Sequence, residues 1–379
     1  LRAEESTIRE NFLQIIESEA SIDNRFVNVK RIDANGGRGN FSLVFTAFDE
    51  QTDKKVVLKF FDPLKNGNID RLQRFRREGE MLSILSEEPY VINSVIDSVG
   101  KLHKVFIDPG SKIQIPWLFE YIAMEKADFN IEDFIDKKNP KAIEILSIFK
   151  EMFKAVIRVH NRNICHRDLK PDNFLVIGNS VLLSDFGTAK SLDGSMPDIR
   201  HEYDLPIGNV KYFAPELFLS IGIADKYAYN ADMFSLGAIL FELFTNTTLT
   251  SQIYDKEFFR RIELINQVLS KMQPDKRLEA YKELSKDLDR DVNLPEIFSY
   301  NDKVPNSIKF QIDKLYKSLA HINFTRRLNK PLSVHRQIDI SLKILTNEMS
   351  YKKWKAEKRK RARIREERNR SKRASHADK

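Results

Sequence analysis

The chain has 379 residues, 41% apolar and 10% aromatic, enough for two lobes that each bury a core. No run of about 18 apolar residues occurs, so a membrane-spanning helix is not expected, and a single cysteine, Cys165, leaves no intrachain disulfide and no zinc cluster to expect. The formal net charge is +8, yet residues 351–379 hold 14 Lys and Arg against 4 Asp and Glu, so the preceding 350 carry 49 basic and 51 acidic residues and are nearly neutral.

The opening Leu1-Arg2-Ala3-Glu4-Glu5 is acidic and without an apolar stretch, unlike a secretory signal, and it lacks Met, so the true start can lie upstream. The expected location is cytoplasmic. Residues 7–17 follow a capping-box pattern, Thr7-Ile8-Arg9-Glu10, and place Ile8, Phe12, Ile15 and Ile16 at helical spacing. Next, Gly37 and Gly39 lie in Asn35-Gly36-Gly37-Arg38-Gly39-Asn40-Phe41-Ser42-Leu43-Val44, where the lack of a Cβ lets a hairpin backbone approach phosphates. A plain hairpin turn would use the same glycines. The strand Val56-Val57-Leu58-Lys59 follows, and then an amphipathic helix from Ile69 to Leu85 with Phe75, Glu78, Leu82 and Leu85 on one face. Glu80 would point elsewhere on that helix.

Residues 87–118 contain a turn signal at Asp108-Pro109-Gly110-Ser111. Residues 140–160 read as a long amphipathic helix built on Ile145, Ile148, Phe149, Met152, Val156 and Val159, with His160 a satisfied histidine at its end. Beyond it comes the stretch around which the chain is organised, Cys165-His166-Arg167-Asp168-Leu169-Lys170-Pro171-Asp172-Asn173. Cys165 follows an apolar Ile164 and reads as a small core residue. Phe174-Leu175-Val176-Ile177 and Val181-Leu182-Leu183 flank Gly178-Asn179-Ser180 as strand, turn and strand, and this hairpin would return Asp185-Phe186-Gly187 to the neighbourhood of Asp168 and Asn173. Such an arrangement suits phosphoryl transfer, with one carboxylate taking the hydroxyl proton and an Asn and a second Asp holding Mg²⁺ against phosphates.

In their order and spacing these two motifs resemble the catalytic and metal loops of eukaryotic-type protein kinases, serine/threonine-like in Lys170-Pro171-Asp172. The resemblance covers about residues 28–345. It implies an α+β, bilobal fold with a small β-rich N-lobe and a larger, mainly helical C-lobe. The expected divisions are a helical extension at 1–27, the N-lobe and hinge at 28–126, a C-lobe at 127–350 enlarged by a helical insert near 251–306, and a basic tail at 351–379.

The resemblance also implies ATP and Mg²⁺ and assigns roles. Asp168 would be the base, Lys170 would offset charge on the transferred group, and Glu78 would hold Lys59 on the phosphates. Asn173 and Asp185 would bind metal. Gly37, Gly39, Phe41, Ser42, Val44, Val57, Met124, Glu125, Ala127 and Leu175 would surround the nucleotide, with Met124 limiting the pocket and backbone groups of Glu125 and Ala127 meeting adenine. Ser42 and Val57 depart from the usual Gly and Ala. His166 and Phe186 match residues that stack between the lobes.

The segment from Asp185 to Ala214-Pro215-Glu216 would be an activation segment, where a phosphate on Ser191, Ser195 or Tyr203 could pair with Arg167. Asn209 stands where serine/threonine kinases carry Thr, and its amide could reach both the catalytic Lys and Asp. Asp232 would accept backbone N–H groups of the catalytic loop, and Arg327 would pair with Glu216. Ser333 is expected to cap a last helix bearing Val334, Ile338, Leu342, Leu345 and Met349.

The tail has too few apolar residues to bury a face, so a solvated helix or disorder is expected. Its Lys and Arg without interleaved aromatics suit contact with a polyanion, either nucleic-acid phosphates or an acidic protein. The leading expectation is an ATP- and Mg²⁺-dependent kinase acting on protein Ser and Thr hydroxyls, its own included. The rival is a kinase-like scaffold that recruits such a partner. A small-molecule kinase would share Asp168 and Asn173 without the Ala-Pro-Glu segment and the Asp232 helix.

Overall fold

Strand alternation sorts the first third of the chain onto two faces of one sheet, in a computed structural model that describes residues 2–32, 42–62, 64, 69–97, 99–107, 115–194, 208–219, 225–300 and 304–377. After helix α1 (Arg2–Ser18) come β1 (Phe26–Arg31), β2 (Ser42–Asp49), β3 (Lys54–Phe61), helix α2 (Ile69–Ile84), β4 (Leu102–Ile107) and β5 (Ile115–Glu125). The strands pair antiparallel in the order β1-β2-β3-β5-β4. Because successive side chains alternate, Val56, Leu58 and Phe60 of β3 join Phe119, Tyr121 and Ala123 of β5 on the outer face. There they form a core with Phe12 and Ile16 of α1. Phe61, Ile122 and Met124 face the other way and pack with Phe75, Met81 and Leu82 of α2 and the rest of the molecule.

The chain then passes through β6 (Phe129–Asn130) and α3 (Ile131–Lys138) into α4 (Ala142–His160). Asn130 caps α3 by accepting the Asp133 N–H at 2.8 Å. Short strands β7 (Ile164–Cys165), β8 (Phe174–Ile177), β9 (Ser180–Leu183) and β10 (Lys190–Ser191) carry the chain past α4. Helix α5 (Asp225–Thr245) has Met233, Phe234, Leu236, Ile239, Leu240, Phe241 and Phe244 all buried. A helix apolar on every side belongs in the middle of a core. Around it lie α6 (Thr250–Ile253), α7 (Lys256–Ser270), α8 (Pro274–Asp291) and α9 (Lys309–Leu319). Gly237 permits the tight α5–α9 approach, since a Cβ there would stand 2.6 Å from the Ala320 nitrogen.

Helix α10 (Pro331–Ala377) is 47 residues long, about 70 Å at 1.5 Å per residue. Val334, Ile338 and Leu345 are buried, whereas every residue from Met349 to Ile364 is exposed. Two helix starts differ from expectation. Thr7 lies inside α1, and Ser333 lies inside α10, which opens on Pro331 with the Ser333 N–H bonded to Lys330 O at 3.0 Å. Proline fits a first helical position because its missing N–H would have no partner there. Among the described residues no helix is long and apolar enough to cross a membrane.

Candidate active site

A buried carboxylate of α5 shapes the loop between β7 and β8. Asp232 accepts the backbone N–H groups of His166 and Arg167, both at 2.9 Å, and lies 2.8 Å from His160 Nε2. Burial opposes its charge, but the His160 and backbone bonds hold its carboxyl below the ordinary aspartate range. These bonds hold Arg167 at φ +67°, a left-handed conformation that costs a non-glycine residue about 1–2 kcal/mol. Asp168 and Lys170 follow, with Lys170 Nζ 3.4 Å from Asp168 Oδ2. The Asn173 amide donates to the Asp168 carbonyl at 2.8 Å, which orients its own carbonyl oxygen away.

The β8–β9 hairpin, with Phe174 opposite Leu183, brings the chain back so that Ser184 N–H bonds Asn173 O at 2.9 Å. Asp185 follows at φ +62°. Phe186 is fully buried, its ring 5.0 Å from that of His166, whose Nε2 lies 2.9 Å from Ser184 O. The Thr188 hydroxyl donates to His166 O at 3.0 Å, and Arg167 Nε donates to Thr188 O at 2.7 Å. The two loops are therefore one hydrogen-bonded unit.

Lys59 reaches this unit from β3. Its ammonium lies 2.6 and 2.8 Å from the two Glu78 oxygens and 3.6 Å from Asp185. Burial would discharge it, but the two carboxylates raise its pKa above the ordinary lysine value. Conversely, burial would raise Asp185, yet Lys59 and Lys170 hold it ionised below the ordinary range. Asp168 differs. Burial, reinforced by the Asp185 charge, pushes it up despite Lys170. Among the described residues its Oδ1 is buried without a hydrogen-bond partner, an arrangement suited to accepting a proton from a group that enters later. Glu80 lies 4.0 Å from Arg77, away from Lys59.

These side chains line one cavity of about 370 Å³, together with Ser42, Arg74, Phe75, Gly187, Thr188, Gly208, Asn209 and Val210. Gly208 has φ +108°, and a Cβ there would meet the Arg167 carbonyl and stand 3.2 Å from Asp168 Oδ1. Asn209 was expected to reach Lys and Asp through its amide. Instead its side-chain oxygen accepts the Lys211 N–H at 3.0 Å. The side chain is occupied by capping the turn that follows.

The other expected nucleotide contacts sit outside this cavity's lining. Val44 pairs with Lys59 across strands, and Val57 pairs with Met124. The Glu125 N–H is bonded to Asn93 O at 3.0 Å, and the Ala127 carbonyl accepts Lys126 Nζ at 3.3 Å. Leu175 is half-buried on β8. Gly37, Gly39 and Phe41 lie outside the described residues, as do Ser195 and Tyr203, while Ser191 is buried with its hydroxyl on Asp193. Sequence reasoning missed Arg74 and Thr188. Arg74 was within reach of it, since it lies one helical turn before Glu78 on the same face. The Asp185 carboxylate and Asn173 amide carbonyl supply hard oxygens of the kind Mg²⁺ takes.

The protein kinase domain family matches residues 31–336, and the chain belongs to it. Over 214 residues it is 32% identical to a probable serine/threonine-protein kinase of Clostridium perfringens, covering 55% of this chain and 27% of that one. Over 225 residues it is 32% identical to mitogen-activated protein kinase 15 of Caenorhabditis elegans, covering 56% and 43%. Serine/threonine-protein kinase PrkC of Bacillus subtilis is 30% identical over 215 residues, covering 55% and 29%. The matched region thus spans under half of each of these relatives.

Proposed function

We propose that the chain is a protein kinase that transfers the γ-phosphoryl group of ATP to Ser and Thr hydroxyls of proteins, including its own. The observation that carries this reading is the joint position of Lys59, Glu78 and Asp185 with Asp168 and Lys170 around one cavity. Lys59, fixed by Glu78, holds the phosphates. Asp168, with one carboxylate oxygen unpartnered among the described residues, orients the hydroxyl and takes its proton. Lys170 offsets charge on the group in transit, and the rest is alignment. Asn173 and Asp185 would hold Mg²⁺, which neutralises phosphate charge when bound. Lys170-Pro171-Asp172 and the names of the relatives support Ser and Thr as acceptors. The same reading keeps the divisions 1–27, 28–126, 127–350 and 351–379, and a cytoplasmic location goes with it. Incubation with ATP and Mg²⁺, followed by phosphoamino-acid analysis, is expected to give phosphoserine or phosphothreonine. Phosphotyrosine alone would overturn the specificity.

A second reading rests on α10, whose side chains are exposed from Met349 to Ile364, and on the predominance of Lys and Arg over residues 351–379 of the sequence. Over residues 351–364 this helix offers a polyanion, nucleic acid or acidic protein, an exposed basic surface. Deleting residues 351–379 is expected to leave phosphoryl transfer intact and to weaken binding to duplex DNA. The slope of log affinity against log salt should flatten by about 0.9 for each DNA phosphate that the tail had neutralised. An unchanged slope would place the DNA-binding surface elsewhere.

A further inference from the structure

Helix α1 precedes the part of the chain matched by the kinase family and is not among the residues lining the cavity, yet it holds the C-terminal ends of β1 and β3, which lie at the same end of the sheet. At its C-terminal end, Glu17 accepts the backbone N–H of Arg31 at 2.8 Å, and the Arg31 guanidinium lies 3.1 Å from Glu10 and 3.7 Å from Glu17. Arg31 is the last residue of β1, after which the chain runs into the glycine-rich stretch. One residue before Glu10, Arg9 lies 3.6 Å from Asp62, which is buried and also accepts the Leu64 N–H at 3.0 Å. Asp62 comes directly after β3, three residues beyond Lys59. Between these ties, Phe12 sits 4.4 Å from Phe119 and 5.9 Å from Phe60, ring centre to ring centre.

The dimensions agree with a strap laid across the strands. Eight residues from Arg9 to Glu17 rise about 12 Å, and β1 and β3 lie two strand spacings apart, roughly 10 Å. Phe60 and Lys59 point to opposite faces, so α1 acts on Lys59 only through the backbone of β3.

We propose that α1 is a strap that fixes the β1–β2 hairpin against β3, with Arg9, Glu10 and Glu17 as positioning residues for the nucleotide. This rests on ATP being the phosphoryl donor. The hairpin and Lys59 approach the nucleotide from different strands, so their mutual position governs its affinity. The chemistry at Asp168 is set by the other lobe and is independent of the strap. Loosening the strap therefore raises KM for ATP and leaves kcat and KM for the acceptor unchanged, a pattern that general destabilisation would not give.

The test is the full chain carrying Glu10→Gln and Glu17→Gln, compared with wild type by ATP kinetics and by amide hydrogen exchange. KM for ATP is expected to rise about threefold to tenfold, the factor carried by one lost hydrogen bond, at unchanged kcat. Exchange should quicken in residues 26–31, 42–49 and 54–61 and stay constant in α4 and α5. Adding Arg31→Gln should add little, because the three side chains form one network. Unchanged exchange in the three strands overturns the strap, whether or not the chain transfers phosphate. Quickened exchange with unchanged KM overturns its role in nucleotide binding. A wild-type chain that neither binds ATP nor transfers phosphate would overturn the kinase reading and with it the nucleotide role, leaving the exchange data to decide the mechanical tie alone.

Discussion

Asp185→Asn is expected to lower phosphoryl transfer by on the order of 10³-fold, the scale of losing a preorganised charge-stabilising group. The substitution is nearly isosteric, and Asn tolerates the φ of +62° that this position requires, so the backbone turn survives. What disappears is a carboxylate that Lys59 and Lys170 keep ionised and that would share Mg²⁺ with Asn173. Lys59 keeps Glu78 as its partner at 2.6 Å and stays charged and half-buried. A circular dichroism melt close to wild type, with turnover reduced at saturating ATP, is the expected pair of results. Turnover within a fewfold of wild type would remove Asp185 from the mechanism.

The second large effect is on stability. Arg327 and Glu216 are buried almost completely, joined by two hydrogen bonds, one of 2.7 Å from Nη2 to Oε2. Arg327 also donates to the carbonyls of His321 at 2.7 Å, Asn230 at 3.0 Å and Ile322 at 3.3 Å, and its guanidinium lies over the Phe234 ring. Replacing it with Met would fill much of the same space while removing the cation from buried Glu216 and the Arg327 hydrogen bonds from three carbonyls. The expected loss is about 3–5 kcal/mol, the cost of stranding one member of a buried ion pair. Denaturant unfolding measures it directly. The double variant Arg327→Met with Glu216→Gln should recover part of the loss, because it removes the uncompensated charge. A loss below about 1 kcal/mol in the single variant would mean that water or a neighbour satisfies Glu216.

The parts of the site that periodicity governs were legible in advance. The family resemblance gave Glu78 as the partner of Lys59, helical spacing turned Glu80 to another face, and the strand-turn-strand pattern of β8 and β9 returned Asp185 toward Asn173; Lys59 and Glu78 lie 2.6 Å apart. His160 was read as a satisfied histidine, and it lies on Asp232. What could not be read depends on choices between competing hydrogen bonds or between equivalent faces. The Asn209 amide caps the turn after it, because a bond two residues away forms more readily than one across the cleft. The pattern of Phe12 and Ile16 predicts an amphipathic helix but does not say which face of the sheet it covers. Nor does it reveal that Glu17 meets the Arg31 backbone. Gly208 owes its role to the close approach of the Arg167 carbonyl, which no local pattern announces.

The most direct test of the central claim follows kcat/KM for labelled phosphate transfer from ATP and Mg²⁺ as a function of pH, in wild type and in Asp168→Asn. Burial raises the Asp168 pKa, so the wild-type rate should fall on the acid side with a midpoint above the ordinary aspartate value of 3.8. The direction follows from the role, since a protonated carboxyl cannot accept the hydroxyl proton. Asp168→Asn should lie lower by about 10²–10⁴-fold and lack that acid limb. Transfer by Asp168→Asn at the wild-type rate, with the acid limb intact, would contradict the assignment of Asp168 as the base.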